Sequence, residues 1–479
     1  MPYSALERRR RTMARRALYG SLLLVTAAVG GAWAVFQRPM AALGDMTWHE
    51  VAWDQDPVVR LLQQYVRVDS TPAGDELAAA LLLATPLEAA GLEVHVERLG
   101  ERHANLWAEL PGEDPQALVL LSHLDVEPIH PRERWAEPPF AAVLDPPWLL
   151  GRGTFDMKSY AVAQVMALLR LAAEHPRPAR TVRLIASSGE EQGSDLGVRW
   201  LLRERPELFA DVWAVLTEGG VLEARALGNP KYWGTEFAQK QYVELRACSG
   251  SRERLEALER DVRELGLPLA PLRLPPEVAA FWQQYAPSRD REDLRQLVAA
   301  PQRPLREVQE FLALPKYLRS MLRDELVPMG IEEAAGGGYE LRLLVHLLPG
   351  GDLEAALARL LPDWMTHGVT VLRHEVATAA AGSPLEHPAY LTLQQVLRQE
   401  HPELRTGPFL LPWTATDCRF LRLQEIPCYG FTPFFILTPD TLHVGSANER
   451  ISLPGLRQGA DLYERLVARL AAGPGLRGG

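Results

Sequence analysis

Residues Ala117–Leu121 form an apolar run that ends abruptly in Ser122-His123-Leu124-Asp125. A short apolar run closed by polar groups reads as a buried strand that delivers its last side chains to the rim of a sheet. In extended backbone His123 and Asp125 share one face. A carboxylate beside an imidazole fixes the tautomer and raises the basicity that a metal-binding histidine needs. His-x-Asp alone is just as readily a bland surface pair, but the pattern repeats. Thr181–Ser188 ends in Gly189-Glu190-Glu191, and Asp211–Leu216 ends in Thr217-Glu218-Gly219-Gly220. Asp156 lies in Gly151-Arg152-Gly153-Thr154-Phe155-Asp156-Met157-Lys158, and His443 lies in the stretch Leu442–Ile451, LHVGSANERI. Each of these His and carboxylate positions is a plausible ligand for a divalent metal. Two adjacent glutamates closing a buried strand cost desolvation unless a cation is near.

The rest of the chain frames these ends. Helical patterns at Asp56–Val68, Leu77–Ala90 and Ser159–His175 alternate with strand-like Glu93–Arg98, Ala104–Glu109 and the apolar runs above. Helices alternating with buried strands imply an α/β fold, a mostly parallel sheet covered by helices on both faces. His123, Glu190 or Glu191, and Glu218 then fall at the carboxyl ends of strands, where open α/β sheets bind ligands. With 479 residues two domains are expected. The character shifts after about Phe237, to strand-like Gln241–Ala247, Tyr339–Leu348 and Thr370–His374. Between them Arg252–Leu326 is an Arg/Glu-rich, Pro-punctuated stretch that reads as a solvated helical decoration. Pro384–His401 and Leu453–Ala472 read as helices that close the first domain.

The N-terminus is separate. Arg8–Arg11, Arg15 and Arg16 precede Ala17–Phe36, twenty residues without a charge, about the length that spans a bilayer as a helix. Positive charge before the apolar run keeps the N-terminus inside and sends the body out. The expectation is a basic cytoplasmic tail (1–16), a transmembrane anchor (17–36) and a linker (37–54), with the body on the periplasmic or extracellular side. If Ala32-Trp33-Ala34 is a cleavage site, the body is secreted instead. Of the net charge of −10, the first 36 residues contribute six Arg and one Glu. The body is therefore strongly acidic, which argues against nucleic acid as a partner. Three cysteines make no disulfide framework and no CxxC knuckle. Cys418 and Cys428 are free to pair only outside the cytoplasm.

The ordered set HLD, GRGTFDMK, SGEE, TEGG, ATDCRF and HVGSANERIS resembles the co-catalytic zinc amidohydrolases and peptidases. That family includes aminoacylase, acetylornithine deacetylase, succinyl-diaminopimelate desuccinylase, glutamate carboxypeptidase and carboxypeptidase S. RW…PPF, EGG, YGFTPF and NERIS point to the carboxypeptidase S and N-acyl-amino-acid hydrolase branch. The resemblance implies a catalytic domain in two parts, 55–238 and 376–473, around an inserted α+β lid, 239–375. It implies two Zn²⁺, or another divalent metal such as Co²⁺ or Mn²⁺. His123 and Glu218 would hold one, Glu191 and His443 the other, and Asp156 would bridge them through a cis Asp156–Met157 peptide. Asp125 would buttress His123, and Glu190 would be the general base. Asp417 and Arg419 match a cleft segment and are either structural or substrate contacts.

Two lid positions depart from the family pattern. Ser251 stands where a lid histidine is expected, and His346 stands where an arginine precedes Leu-x-Pro-Gly. The implied activity is hydrolysis of an amide bond next to a free carboxylate, in a short peptide or an N-acyl amino acid. The lid departures leave a second reading open, a metal-binding homologue with weak or no turnover and a binding or regulatory role. Some family members form homodimers through the lid.

Overall fold

The computed structural model describes residues 51–224, 230–265, 274–285, 316–334, 336–360, 370–377, 381–434, 436, 440 and 443–472. In chain order the strands are β1 (Glu93–Leu99), β2 (His103–Leu110), β3 (Asp114–His123), β4 (Val143–Asp145), β5 (Trp148–Leu150), β6 (Arg180–Ser187), β7 (Val212–Thr217) and β8 (Val221–Ala224). They continue as β9 (Pro230–Gln239), β10 (Gln241–Ser249), β11 (Glu325–Glu333), β12 (Tyr339–Leu347), β13 (Thr370–Ala377), β14 (Arg405–Leu411), β15 (Cys428–Gly430) and β16 (Arg450–Ser452).

The main sheet has the order β1-β2-β6-β3-β7-β15-β9-β14, with β8 on β9. Its centre, β6-β3-β7-β15, is parallel. On β3, Leu118 and Leu120 enter one apolar cluster and Ala117, Val119 and Leu121 another. Alternate side chains of one strand thus feed two cores, the signature of a strand buried on both faces. Helices Pro57–Val66, Glu76–Ala89, Lys158–Glu174 and Leu453–Ala471 cover the first face; Val198–Glu204 and Cys418–Arg422 cover the second. The first helix begins where the sequence provides a cap. Asp56 Oδ1 accepts from the N–H of Val58 and Val59 at 2.9 and 3.2 Å, and Pro57, which has no N–H, takes the first helical position.

The sheet is mixed, which corrects the expectation of a mostly parallel one. β1–β2, β2–β6, β15–β9 and β8–β9 are antiparallel. Loop length explains the neighbours in sequence: strands joined by a few residues, as β1 and β2 are across 100–102, have no room for a crossover and must return antiparallel. The β2–β6 and β15–β9 pairs join distant segments and are set by tertiary pairing.

The chain leaves this sheet after β9 and builds a second, antiparallel sheet, β11-β12-β10-β13. Val243, Leu245 and Ala247 of β10 and Leu341, Leu343 and Val345 of β12 form its own core, together with Leu255, Leu258 and Val262 of helix Arg252–Leu265. The opposite face carries Glu244, Arg246, Glu340 and Arg342 in interlocking ion pairs. An α+β unit with a separate core is present where the lid was expected.

The long helical stretch is not a solvated decoration throughout. Helix Pro276–Tyr285 buries Val278, Phe281, Trp282 and Tyr285 in the core of the main body, and Phe281 stacks edge-on against Tyr232 and Phe409. The apolar spacing i, i+3, i+4, i+7 carries this, inside a longer Arg/Glu-rich stretch. Leu318, Met321 and Leu322 join the same core. The apolar stretch 17–36 lies outside the described residues. Among the described residues no helix is long and apolar enough to cross a membrane.

Lys240 sits where the chain passes from one sheet to the other. It is fully buried, and its Nζ donates to Ser320 Oγ (3.0 Å), Arg323 O (2.8 Å) and Glu325 Oε2 (3.2 Å). Burial lowers its pKa from 10.5 to about 8, against the pull of Glu325. Between these values the unfolded chain holds a proton that the folded protein has released, so stability rises with pH across that window. We expect the wild type to gain roughly 2–3 kcal/mol over Lys240→Met between pH 7.5 and 10, read from denaturant unfolding. An unchanged difference would refute the assignment.

Candidate metal centre

Three neighbouring parallel strands carry the site to one edge. β3 ends at His123, β6 at Ser187 directly opposite it, and β7 at Thr217 just before Glu218. Gly189 (φ 65°) turns the chain after β6 and presents Glu190 and Glu191. Gly219 (φ 104°) and Gly220 (φ 75°) turn it after Glu218, and a Cβ on Gly220 would lie 2.5 Å from Gly234 O. Only glycine allows that reversal at such closeness.

Asp156 comes from the turn after β5, and its peptide to Met157 is cis. Glu449 holds this turn. Its carboxylate accepts from the N–H of Gly153 (3.0 Å), Phe155 (2.8 Å) and Asp156 (3.0 Å), and the buried Arg152 pairs with it. Glu449 is a positioning group to which no role was given from sequence. The available signal was an acidic residue inside the NERIS motif, just before the short strand β16.

His123, Asp156 and Glu218 converge, each offering a ligand atom within 4.8 Å of the others. His123 Nε2 lies 3.4 Å from Asp156 Oδ1 and 3.8 Å from Glu218 Oε1. Its Nδ1 faces Asp125 O at 2.9 Å and Asp125 Oδ1 at 3.3 Å. A ring nitrogen facing a carbonyl must carry the hydrogen, which leaves Nε2 as the nitrogen turned toward the carboxylates and a metal. Asp125 is fully buried and also accepts from the N–H of Glu190 and Glu191, both at 2.9 Å.

Glu191 and His443 do not join that three-residue group. Glu191 is near enough to Asp156 that, after burial, the Asp156 charge is the main cause raising its pKa. The His443 ring is oriented in the same way as that of His123, with Nδ1 at 2.8 Å from Ala447 O. Glu190 is adjacent, and its Oε1 is 3.5 Å from Arg419 Nη1.

The electrostatics of this edge call for a cation. Burial and the neighbouring Asp156 charge push Glu218 well above the usual carboxylate range. Burial pushes Glu190 up to about 8, with Arg419 opposing. Asp156 goes the other way: burial opposes its ionisation, but the His123 imidazole outweighs burial and lowers its pKa. Buried His123 Nε2 and Glu191 Oε1 have no hydrogen-bond partner among the described residues. Buried polar atoms are rarely left so without an ion or ligand to meet them. Imidazole and carboxylates are the donor set of a zinc or similar divalent site, so the residues fit such a group.

Ser251 and His346, singled out in sequence, are not in the three-residue group. Ser251 caps helix Arg252–Leu265, its Oγ accepting from the N–H of Arg254 at 3.4 Å. His346 is 4% exposed, and its ring centroid is 4.4 Å from that of Tyr242 on the adjacent strand. Asp417 is buried and accepts from the Ser194 hydroxyl, which closes the Glu190 turn. Cys418 and Cys428 form a disulfide, with Cα atoms 5.4 Å apart.

A carboxylate-rich centre on the carboxyl edge of an α/β body that carries a second α+β unit belongs to a class of hydrolases that act on amide bonds. A family model described as "Peptidase family M20/M25/M40" matches residues 119–469. The chain belongs to that family, the one its motifs resemble. It is 26% identical to aminoacylase-1A of Rattus norvegicus over 88% of this chain and 98% of that one. It is 41% identical to succinyl-diaminopimelate desuccinylase of Stenotrophomonas maltophilia, over 29% of this chain and 35% of that enzyme. Its fold is similar to that of an M20 family metallo-carboxypeptidase from Sulfolobus solfataricus. That match has a TM-score of 0.62 and 17% identity, covering 87% of this chain and 99% of the other.

Proposed function

We propose that this chain is a zinc-dependent hydrolase that cleaves an amide bond next to a free carboxylate, in a short peptide or an N-acyl amino acid. The observation that carries the reading is the convergence of His123, Asp156 and Glu218 beside a glutamate that is not one of them, Glu190. His123, Asp156 and Glu218 would hold one zinc, and Glu191 and His443 would complete a second site that shares Asp156. Zinc held there supplies Lewis acidity and an acidified water at neutral pH. Asp125 keeps His123 in the ligating tautomer and fixes the backbone of both glutamates. Glu190, held by Asp125 through its backbone and by Arg419 at its carboxylate, would accept a proton from the attacking water at Oε and deliver it to the leaving amine. The named relatives act at such bonds: an aminoacylase, a desuccinylase and a carboxypeptidase.

The N-terminal apolar stretch supports an exported body, anchored by residues 17–36, and the Cys418–Cys428 bond suits an oxidising compartment. A second reading, a metal-binding homologue with little turnover, is favoured by one observation. Ser251 serves as a helix cap, and His346 is packed on Tyr242 inside the lid.

Metal analysis together with hydrolysis of a mixed panel of dipeptides and N-acyl amino acids separates the two. We expect zinc-dependent turnover, and loss of about 10²-fold or more when the substrate carboxylate is blocked as an amide, since a site built for a polar group rejects its absence. Metal-loaded protein that turns over no member of the panel would establish the second reading.

A further inference from the structure

The turn that carries Glu190 is held from three directions. Asp125 fixes its backbone through the N–H groups of Glu190 and Glu191. Asp417 fixes its far end through the Ser194 hydroxyl, and also accepts from the Ser187 hydroxyl at 3.4 Å. Neither contact touches the Glu190 carboxylate. That contact comes from Arg419, whose Nη1 is 3.5 Å from Glu190 Oε1.

Arg419 is itself closely placed. It is 4% exposed, its guanidinium lies over the Phe420 ring at 4.6 Å, and its Nη1 also donates to Thr416 O at 3.3 Å. It stands on helix Cys418–Arg422, tied to β15 by the Cys418–Cys428 disulfide and by Arg422, which donates to Cys428 O at 2.7 Å.

We propose that Arg419 is a positioning residue: it aims the Glu190 carboxylate and does not read the substrate. This rests on Glu190 being the general base. A separation of 3.5 Å is longer than a tight charge-assisted bond of about 2.7–2.9 Å. The pair therefore sets the direction of the carboxylate without saturating it, and lone pairs remain for a travelling proton. A substrate contact would instead need a guanidinium open to the cleft. This one is 4% exposed over the Phe420 ring, its Nη1 is shared between Thr416 O and Glu190 Oε1, its Nε meets no partner among the described residues, and moving it would strand a buried charge. Lysine, a point charge without the planar fork, cannot reproduce the stack and the pairing together.

The test is a double-mutant cycle on the zinc-loaded full chain, with N-acetyl-L-alanine and Gly-L-Ala as substrates. Arg419→Ala is expected to lower kcat by about 10²-fold, the usual effect of a misplaced group, with KM within about threefold and zinc content unchanged. In the Glu190→Gln background the same change should cost nothing further, because its target is gone. Added guanidinium should restore part of the kcat of Arg419→Ala and none in the double variant. A raised KM with kcat kept, or an equal loss in both backgrounds, overturns the proposal. Full activity in Glu190→Gln overturns the general-base reading and this inference with it, a distinct result. If Arg419→Ala loses zinc, Arg419→Lys in the two backgrounds decides by the same criterion.

Discussion

Glu190→Gln is expected to lower kcat by about 10²–10⁴-fold, the range that a positioned proton-transfer group contributes, with zinc content unchanged. The amide keeps the size and the backbone contacts of glutamate, so the N–H bonds to Asp125 persist. It cannot accept the proton. In the metal-free protein burial raises this carboxyl, with Arg419 opposing, and a carboxylate held beside an acidified water can both take and return a proton. Steady-state kinetics with parallel metal analysis checks this. Loss of zinc from Glu190→Gln, with Glu191→Gln keeping its zinc, would show that the two adjacent glutamates have exchanged roles.

Removal of the metal is expected to abolish hydrolysis, by about 10³-fold or more, given the several kcal/mol a Lewis acid contributes. Added Zn²⁺ should restore it. The same residues predict how affinity depends on pH. In the metal-free protein, burial and the Asp156 charge raise Glu191 and Glu218 well above 4.5. Their folded pKa values exceed the unfolded ones, so the stability they contribute is complete below about 4.5 and is lost as pH rises through the raised values. Metal binding must displace those protons, so affinity rises with pH over that range. Calorimetry in two buffers of different ionisation enthalpy at pH 7 should show net proton release. The melting temperature of chelated protein should fall from pH 5 to 7 relative to the zinc-loaded form. No proton release, and equal melting curves with and without zinc, would remove these residues from the metal site.

Much of the centre was legible in the chain because its residues sit at strand ends, where an apolar run simply stops. His123 and Glu218 are read from local pattern, since the inner stretches of β3 and β7 are buried on both faces and polar groups return where those stretches end. The cap at Asp56 and the helices flanking the sheet follow equally from local chemistry. Sheet direction did not. Burial makes parallel and antiparallel central strands look alike, and only the tertiary pairing decided that β2, β9 and β14 run against the rest. Helix Pro276–Tyr285 was hidden because its apolar stripe lies in a charged stretch, and its partner β14 is more than a hundred residues away. The supports of the site are also long-range: Glu449 on the Asp156 turn, Asp417 on Ser194, Arg419 on Glu190. Sequence alone determined which groups can bind a metal, because that depends on residue type and on where strands end. Tertiary structure alone decided which charges face one another, because those contacts join segments that share no local pattern.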